Sequence, residues 1–264
     1  MQLHLFQTDI AWENPQRNRD ALIIQIENLK PSPGDLLILP EMYATGFSMN
    51  AEQTAEETGK LQLNADFLLQ SARSTGCCII GGAATKSGQR FFNEAIAAFP
   101  DGQDARYRKH QPFTAGGESE VFTAGDTLVK FDWQQWCVGM TICYDLRFPE
   151  IYRSLAFNGA ELLVNIANWP RRRIGHWVTL LTARAIENQC YVAGVNRVGK
   201  DPQNHYPGRS IVVDPHGTII ADAGEDCGVA SVTIDIETIR SWRREFPALK
   251  DARRESSLQV TRGI

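Results

Sequence analysis

The sequence has no apolar run approaching 18 residues, so no segment of it is expected to cross a bilayer as a helix. Its opening stretch, MQLHLFQTDIAWENP, lacks a basic segment followed by an apolar core, and no signal peptide is expected. There is no excess of positive charge: 27 Lys and Arg stand against 31 Asp and Glu, for a formal charge of −4. The electrostatic footprint of a nucleic-acid binder is therefore missing. Histidine is scarce at five residues, and the six cysteines form no C-x-x-C pair and no zinc-type spacing, so no metal is expected. No low-complexity stretch or shift in composition divides the 264 residues, and one domain over 1–264 is expected. What remains, 43% apolar and 22% charged residues, is an ordinary globular composition that suits a reducing, cytoplasmic setting.

What is present is an alternation of two periodicities. Apolar residues recur at helical spacing in 14–30, where Leu22, Ile26 and Leu29 share a face and Pro31 follows. The same spacing predicts helices over 51–75, 148–159 and 173–189. Short apolar runs predict strands at 3–10, 35–42, 77–84, 94–99, 136–143, 161–168 and 190–197. Residues 210–220 read as a hairpin about Pro215–Gly217, with 228–235 expected as its next strand, and a helix-like tail begins at Ile236. Strands alternating with helices in both halves indicate an α/β layered fold.

In such folds reactive groups gather beyond the carboxyl ends of strands. Three strand ends carry unusual residues. Glu41 follows a buried strand in LLILPEMYATGF, between Pro40 and the apolar Met42–Tyr43. Lys109 ends a strand in RYRKHQPF, where a solvated basic run is the plainer reading. Cys143 ends an apolar strand in VGMTICYDLRFPE, a few residues before a helix, which is the layout of a side chain raised on a strand-to-helix turn. A buried strand cysteine is the plainer reading there, and Cys137 in the same strand fits it. Only Cys143 has polar company, from Tyr144, Asp145 and Arg147. Together the three supply a base, a cation for an oxyanion and a nucleophile.

The motifs LPEMYATGF, YRKHQPF and ICYDLRFPE, in that order, resemble the nitrilase or carbon–nitrogen hydrolase superfamily from about residue 1 to residue 250. The resemblance implies a four-layer αββα sandwich, a homodimer and no cofactor. It also implies a catalytic triad of Glu41, Lys109 and Cys143 with Tyr144 N–H in the oxyanion hole. A second active-site glutamate is implied in GGESEVFTAGD, at Glu118, with Glu120 as the competing position. CYDLRFPEIYR, VNIANWPRRRIGHW and LLTARAIENQCYVAGVNRVG look like the ω-amidase branch. That branch hydrolyses the terminal amide of 2-oxo dicarboxylic acid monoamides, so a small-molecule amide is the implied partner. A 2-oxo acid needs a cation for its carboxylate, which points to Arg147 or to Arg171 in the run 171–173, with Tyr43 and Trp169 as pocket walls. The segment DPQNHY (201–206) departs from the common form of the family and bears on loop shape and substrate preference. His176 and Trp177 read as cap and core residues, and Arg184–Glu187 as a surface or interface ion pair. The stretch GGAAT (81–85) lacks the following helix and lysine of a phosphate loop. Two other classes stay open, a Cys–His hydrolase using His110 or His176 as base and a non-catalytic binding module, and within the family a nitrilase, a carbamoylase or a general aliphatic amidase are the nearer rivals.

Overall fold

The protein is described here from a computed structural model, which covers residues 1–60 and 62–253. Two sheets carry the architecture. The first contains β1 (Gln2–Gln7), β2 (Leu36–Ile38), β3 (Glu56–Glu57), β4 (Cys78–Ser87), β5 (Arg90–Ala98), β6 (Asp104–Arg108) and β15 (Gly228–Thr233). Its order is β15-β1-β2-β4-β5-β6, with β3 paired beside β4. The second contains β7 (Lys130–Trp133), β8 (Trp136–Ile142), β9 (Leu162–Ala167), β10 (Tyr191–Asn196), β13 (Ile211–Val213) and β14 (Ile219–Asp222), in the order β14-β13-β10-β9-β8-β7. β11 (Val198–Lys200) and β12 (His205–Pro207) form a separate hairpin. Each sheet has a parallel centre, β1-β2-β4 in one and β8-β9-β10 in the other, flanked by antiparallel strands, while the two-residue β3 runs parallel to β4.

The helices are α1 (Pro15–Leu29), α2 (Ala51–Thr54), α3 (Leu63–Thr75), α4 (Glu118–Val121), α5 (Pro149–Phe157), α6 (Ile174–Asn188), α7 (Ile236–Glu245) and α8 (Ala248–Asp251). Side chains alternate across each strand, so both faces of each sheet need cover. Leu3, Leu5 and Ile38 of the first sheet meet Met140, Ile142, Val164 and Val195 of the second in one core. On the first sheet's outer face, Phe6, Leu37 and Ile79 pack with Leu22 and Ile26 of α1 and Leu68 of α3. On the second sheet's outer face, Leu163 and Val192 pack with Tyr152 and Leu155 of α5 and Trp177 and Leu181 of α6. The layers run helix, sheet, sheet, helix: the four-layer αββα sandwich of the expectation.

Local chemistry sets the element ends. Asn14 caps α1 by accepting the Arg17 N–H at 3.2 Å, and Pro15 opens its first turn. Pro149 likewise starts α5. Two expectations differ from the structure. Residues 51–75 are not one helix: α2 stops at Thr54 and β3 pairs with Thr85 and Lys86 of β4 before α3 begins. The Glu56 carboxylate then receives the Asn64 N–H at 2.8 Å, so the break has its own bonding. The strand at 228–235 does not extend the β13–β14 hairpin. It crosses to the first sheet and pairs antiparallel with β1, covering an edge that would otherwise lie open. The tail expected beyond Ile236 is helical as α7 and α8, and its last residues, 254–264, lie outside the described residues. Among the described residues, no helix is long and apolar enough to cross a membrane.

Candidate active site

Four chain segments leaving strand ends converge on one buried point. The first follows β2. Leu39 N–H still bonds Ile80 O at 2.7 Å, then the chain turns at Met42, where φ is 46°. The turn lies against Gly82 of β4, where a Cβ would stand 2.5 Å from Met42 N and 2.7 Å from Glu41 Cα. A glycine is required there by close approach of two backbones, which accounts for part of GGAAT without any phosphate. The result is a Glu41 side chain with no exposed surface.

The second segment continues β6 by one residue. Lys109 N–H bonds Asn93 O at 2.8 Å, and its side chain is 1% exposed. Lys109 Nζ donates to Glu41 Oε1 at 2.9 Å and to Glu118 Oε2 at 2.8 Å. Burial by itself would lower the pKa of this lysine, but the charges of Glu118 and Glu41 outweigh it and raise the pKa, so Nζ is an ammonium. Glu118, in α4, is fully buried and also accepts the Phe113 N–H at 2.6 Å. Glu120 is exposed and lies outside this buried cluster.

The third segment leaves β8. Cys143 sits at φ 45°, a conformation that costs a non-glycine residue and is typical of a raised reactive side chain. A short 3-10 turn, Cys143–Arg147, follows it. Burial and then the charge of Glu41 push the Cys143 thiol well above the ordinary range, while Lys109 pulls it down. At rest the sulfur therefore carries its proton and needs a base to become a nucleophile. The buried Asp145 ties this turn to the lysine strand. It accepts Tyr107 O–H at 2.8 Å, Ile142 N–H at 2.9 Å and Gln111 N–H at 2.9 Å. Burial raises its carboxyl to about 6 against the pull of those donors.

The fourth segment leaves β9. Asn168 N–H donates to Glu41 Oε2 at 2.8 Å, and its Nδ2 donates to Glu41 O at 2.7 Å. Asn93 Nδ2 donates to Glu41 Oε1 at 2.7 Å and to Glu118 Oε1 at 2.8 Å. The sequence reading gave neither asparagine a role. Asn168 stands at a fourth strand end, which was a usable signal. Asn93 lies inside a strand and offered none.

Cys143 opens onto a cleft of about 410 Å³, within the usual range for small-molecule sites. Tyr144, Arg147 and Trp169 line it, together with Phe47, Phe113, Arg172 and Arg173. The Arg147 guanidinium lies 5.1 Å from the Trp169 ring centre and that of Arg173 lies 5.0 Å from Phe113. Asp201, Pro202, Gln203, Asn204 and Tyr206 of the DPQNHY segment form another wall. The buried Arg197 anchors that wall, donating to Ile10 O at 2.9 Å and lying 4.7 Å from the Tyr206 ring centre.

Two expected pocket residues are elsewhere. The turn at Met42 sends Tyr43 into the outer-face core, where its hydroxyl donates to Asn64 O at 2.6 Å and its ring meets Phe67. Arg171 points away from the cleft to Glu225 at 2.6 Å and to His205 at 3.2 Å. Arg184 is not a surface residue: it is 4% exposed and donates to Leu146 O at 2.8 Å while pairing with Glu187. Trp177 is core, whereas His176 is exposed and meets Arg147 at 3.3 Å. Of the other cysteines, Cys77, Cys78 and Cys190 are buried, Cys137 is half-buried and Cys227 is exposed. No cluster of metal ligands occurs among the described residues.

Known proteins share this arrangement of strands and loops. The chain is 36% identical to a protein named omega-amidase YafV from Yersinia enterocolitica, over 95% of this chain and 96% of that one. It is 33% identical to a 2-oxoglutaramate amidase from Bacillus subtilis, over 94% and 96%. The crystal structure of XC1258 from Xanthomonas campestris, described as a CN-hydrolase superfamily protein with an arsenic adduct in the active site, superposes with a TM-score of 0.91. It is 34% identical and covers 98% of this chain and 99% of that one. Saccharomyces cerevisiae Nit3, a member of branch 10 of the nitrilase superfamily, superposes with a TM-score of 0.84 at 26% identity, over 94% of each chain. Residues 3–244 match the carbon-nitrogen hydrolase family itself, and with that span and these relatives the chain belongs to that family.

Proposed function

We propose that the protein is a cysteine amidohydrolase that releases ammonia from 2-oxo dicarboxylic acid monoamides such as 2-oxoglutaramate and 2-oxosuccinamate. One observation carries the chemistry: a buried Lys109 ammonium bridges Glu41 and Glu118, and its charge and theirs act on Cys143, which lines the cleft from its strained turn. The substrate class rests on Arg147, Arg172 and Arg173 in the cleft wall, which offer a carboxylate its cation, and on the names of the relatives.

In this reading Glu41 takes the Sγ proton as Cys143 attacks the amide carbon. The C–S bond forms and the carbonyl π pair moves onto oxygen. Lys109 Nζ and the Tyr144 N–H hold that oxyanion. The C–N bond then breaks as Glu41 returns the proton to nitrogen, and ammonia leaves a thioester. Water attacks the thioester with Glu41 again as base, the C–S bond breaks, and the dicarboxylate and the free thiol are restored. Glu118 keeps Lys109 aimed and charged throughout. A reducing cytoplasm suits a free catalytic thiol. One domain over the whole chain and a homodimer complete the proposal, the exposed Ile186 and Phe246 offering apolar area for a second copy.

Ammonia release is the test, across 2-oxoglutaramate, 2-oxosuccinamate, glutamine, a simple aliphatic amide, a nitrile and an N-carbamoyl amino acid. The two 2-oxo amides are expected to react fastest. Equal rates on the aliphatic amide would end the substrate assignment. Full activity in Cys143→Ala would end the mechanism.

A further inference from the structure

We infer that Asn93 is a positioning residue that holds the base and the second glutamate in place while the lysine serves the oxyanion. The inference rests on the proposed mechanism and adds a residue to it.

Asn93 occupies the middle of the site without touching the cleft. It is 1% exposed, on β5, paired with Ala84 of β4. Its carbonyl fixes Lys109 through the backbone bond at 2.8 Å. Its side-chain amide spends both N–H groups on carboxylates, at 2.7 Å to Glu41 Oε1 and 2.8 Å to Glu118 Oε1. The same two oxygens receive Lys109 Nζ, at 2.9 Å and 3.1 Å. The four groups therefore close a ring of hydrogen bonds: carboxylate, ammonium, carboxylate, amide.

The ring answers a geometrical difficulty. Two buried carboxylates repel each other, and a single ammonium between them would have to bind both and also bind the oxyanion. A neutral bridge on the other side keeps the carboxylates in register when Nζ turns an N–H towards substrate. The amide's orientation is decided by the site, because the flipped rotamer would set its carbonyl oxygen against two carboxylates. Among the described residues Asn93 Oδ1 has no hydrogen-bond partner, whereas both N–H donors are engaged. A residue present only to fill volume would not need this.

Asn93→Leu and Asn93→Asp test it, since both are near-isosteric and neither can donate as the amide does. Three readings are taken: kcat and KM for 2-oxoglutaramate, the rate of Cys143 alkylation by iodoacetamide, and the melting temperature. The inference expects kcat to fall by about 10²-fold in both, the size of effect that misplacement of a reacting group produces. KM is expected to move less than about threefold, and alkylation to slow roughly tenfold. If Asn93→Leu fails to fold, Asn93→Ser, which keeps one shorter donor, is read in its place. Retention of kcat in Asn93→Leu overturns the inference. So does a loss that follows melting temperature and KM with alkylation unchanged. Alkylation needs no substrate, so an inactive wild-type protein would count against the proposed function while this reading still reports on Asn93.

Discussion

Replacing Lys109 by Met removes one positive charge and keeps nearly the same length of side chain. In the native structure that charge lies 2.9 Å from Glu41 and 2.8 Å from Glu118, and neither carboxylate has exposed surface. Breaking a buried pair from one side costs about 3–5 kcal/mol, because the partner charge is left without compensation. For a chain of this size each kcal/mol moves the melting temperature by about 2–4 °C, so Lys109→Met should melt about 6–20 °C lower. The sign of the pH dependence follows from the raised lysine pKa. A cation whose folded value lies above its unfolded value of about 10.4 contributes fully below that pH and loses its contribution only as pH rises through the folded value. The lysine's own part of the deficit is therefore constant from neutral pH to about 9. Turnover should fall at least ~10²–10³-fold, the usual cost of one oxyanion donor. Lys109→Arg separates the two effects. It keeps the charge and should recover part of the stability, but its planar fork cannot sit at the Nζ position and activity should stay low. Scanning calorimetry and ammonia release read the two quantities. A Lys109→Met protein that melts within about 2 °C of wild type and keeps a tenth of its turnover would refute the reasoning.

Other perturbations separate the parts of the site. Gly82→Ala forces a methyl into the Glu41 backbone, so kcat should fall by about 10²-fold while the cleft arginines and KM are little affected; unchanged kcat would show that the close approach does not set Glu41. Asp145 has its folded pKa raised to about 6, so the folded state binds its proton more tightly than the unfolded chain does, and this group stabilises less as pH rises. Between about pH 4 and 6 wild type should lose roughly 2–3 kcal/mol relative to Asp145→Asn, read by urea unfolding; a flat difference would rule out a buried, titrating Asp145. Arg147→Leu should raise KM for 2-oxoglutaramate by about 10–100-fold and leave a neutral aliphatic amide unaffected, as expected for losing one hydrogen bond to a charged group; equal effects on both substrates would place the carboxylate elsewhere.

The contrast between what the sequence disclosed and what it hid has a physical pattern. Strand ends were legible, because a short apolar run followed by a polar residue marks where a chain leaves a sheet, and Glu41, Lys109 and Cys143 all stand there. Residues that act from inside an element were not. Asn93 lies within β5, where alternation places side chains on one face or the other, and nothing in a one-dimensional pattern says that its face meets two carboxylates. Side-chain direction after a turn was equally hidden. Tyr43 and Arg171 are each within two residues of the site by number, yet the left-handed turn at Met42 and the 3-10 turn Arg171–Arg173 direct them away from it.

Strand pairing at long range was hidden for a different reason. β15 has the alternation of a hairpin partner and follows β14 closely, so local spacing favours extending the second sheet. The edge of β1 wins instead, although it lies more than two hundred residues away, and Gln2 to Gln7 pair along their whole length with Gly228 to Thr233. That choice also secures the site. Gln7, at the end of β1, donates to Asp226 O at 2.8 Å and accepts Ser210 N–H at 2.8 Å, and Ser210 O–H bonds Asn196 O at 3.1 Å. Asn196 in turn accepts Trp169 N–H at 2.7 Å, one residue beyond the asparagine that holds Glu41. The crossing of β15 therefore does more than cover an edge. Through Gln7, Ser210 and Asn196, β1 of the first sheet is tied to the loop that orients the base, and the bond from Gln7 to Asp226 O joins that path to the segment leading into β15.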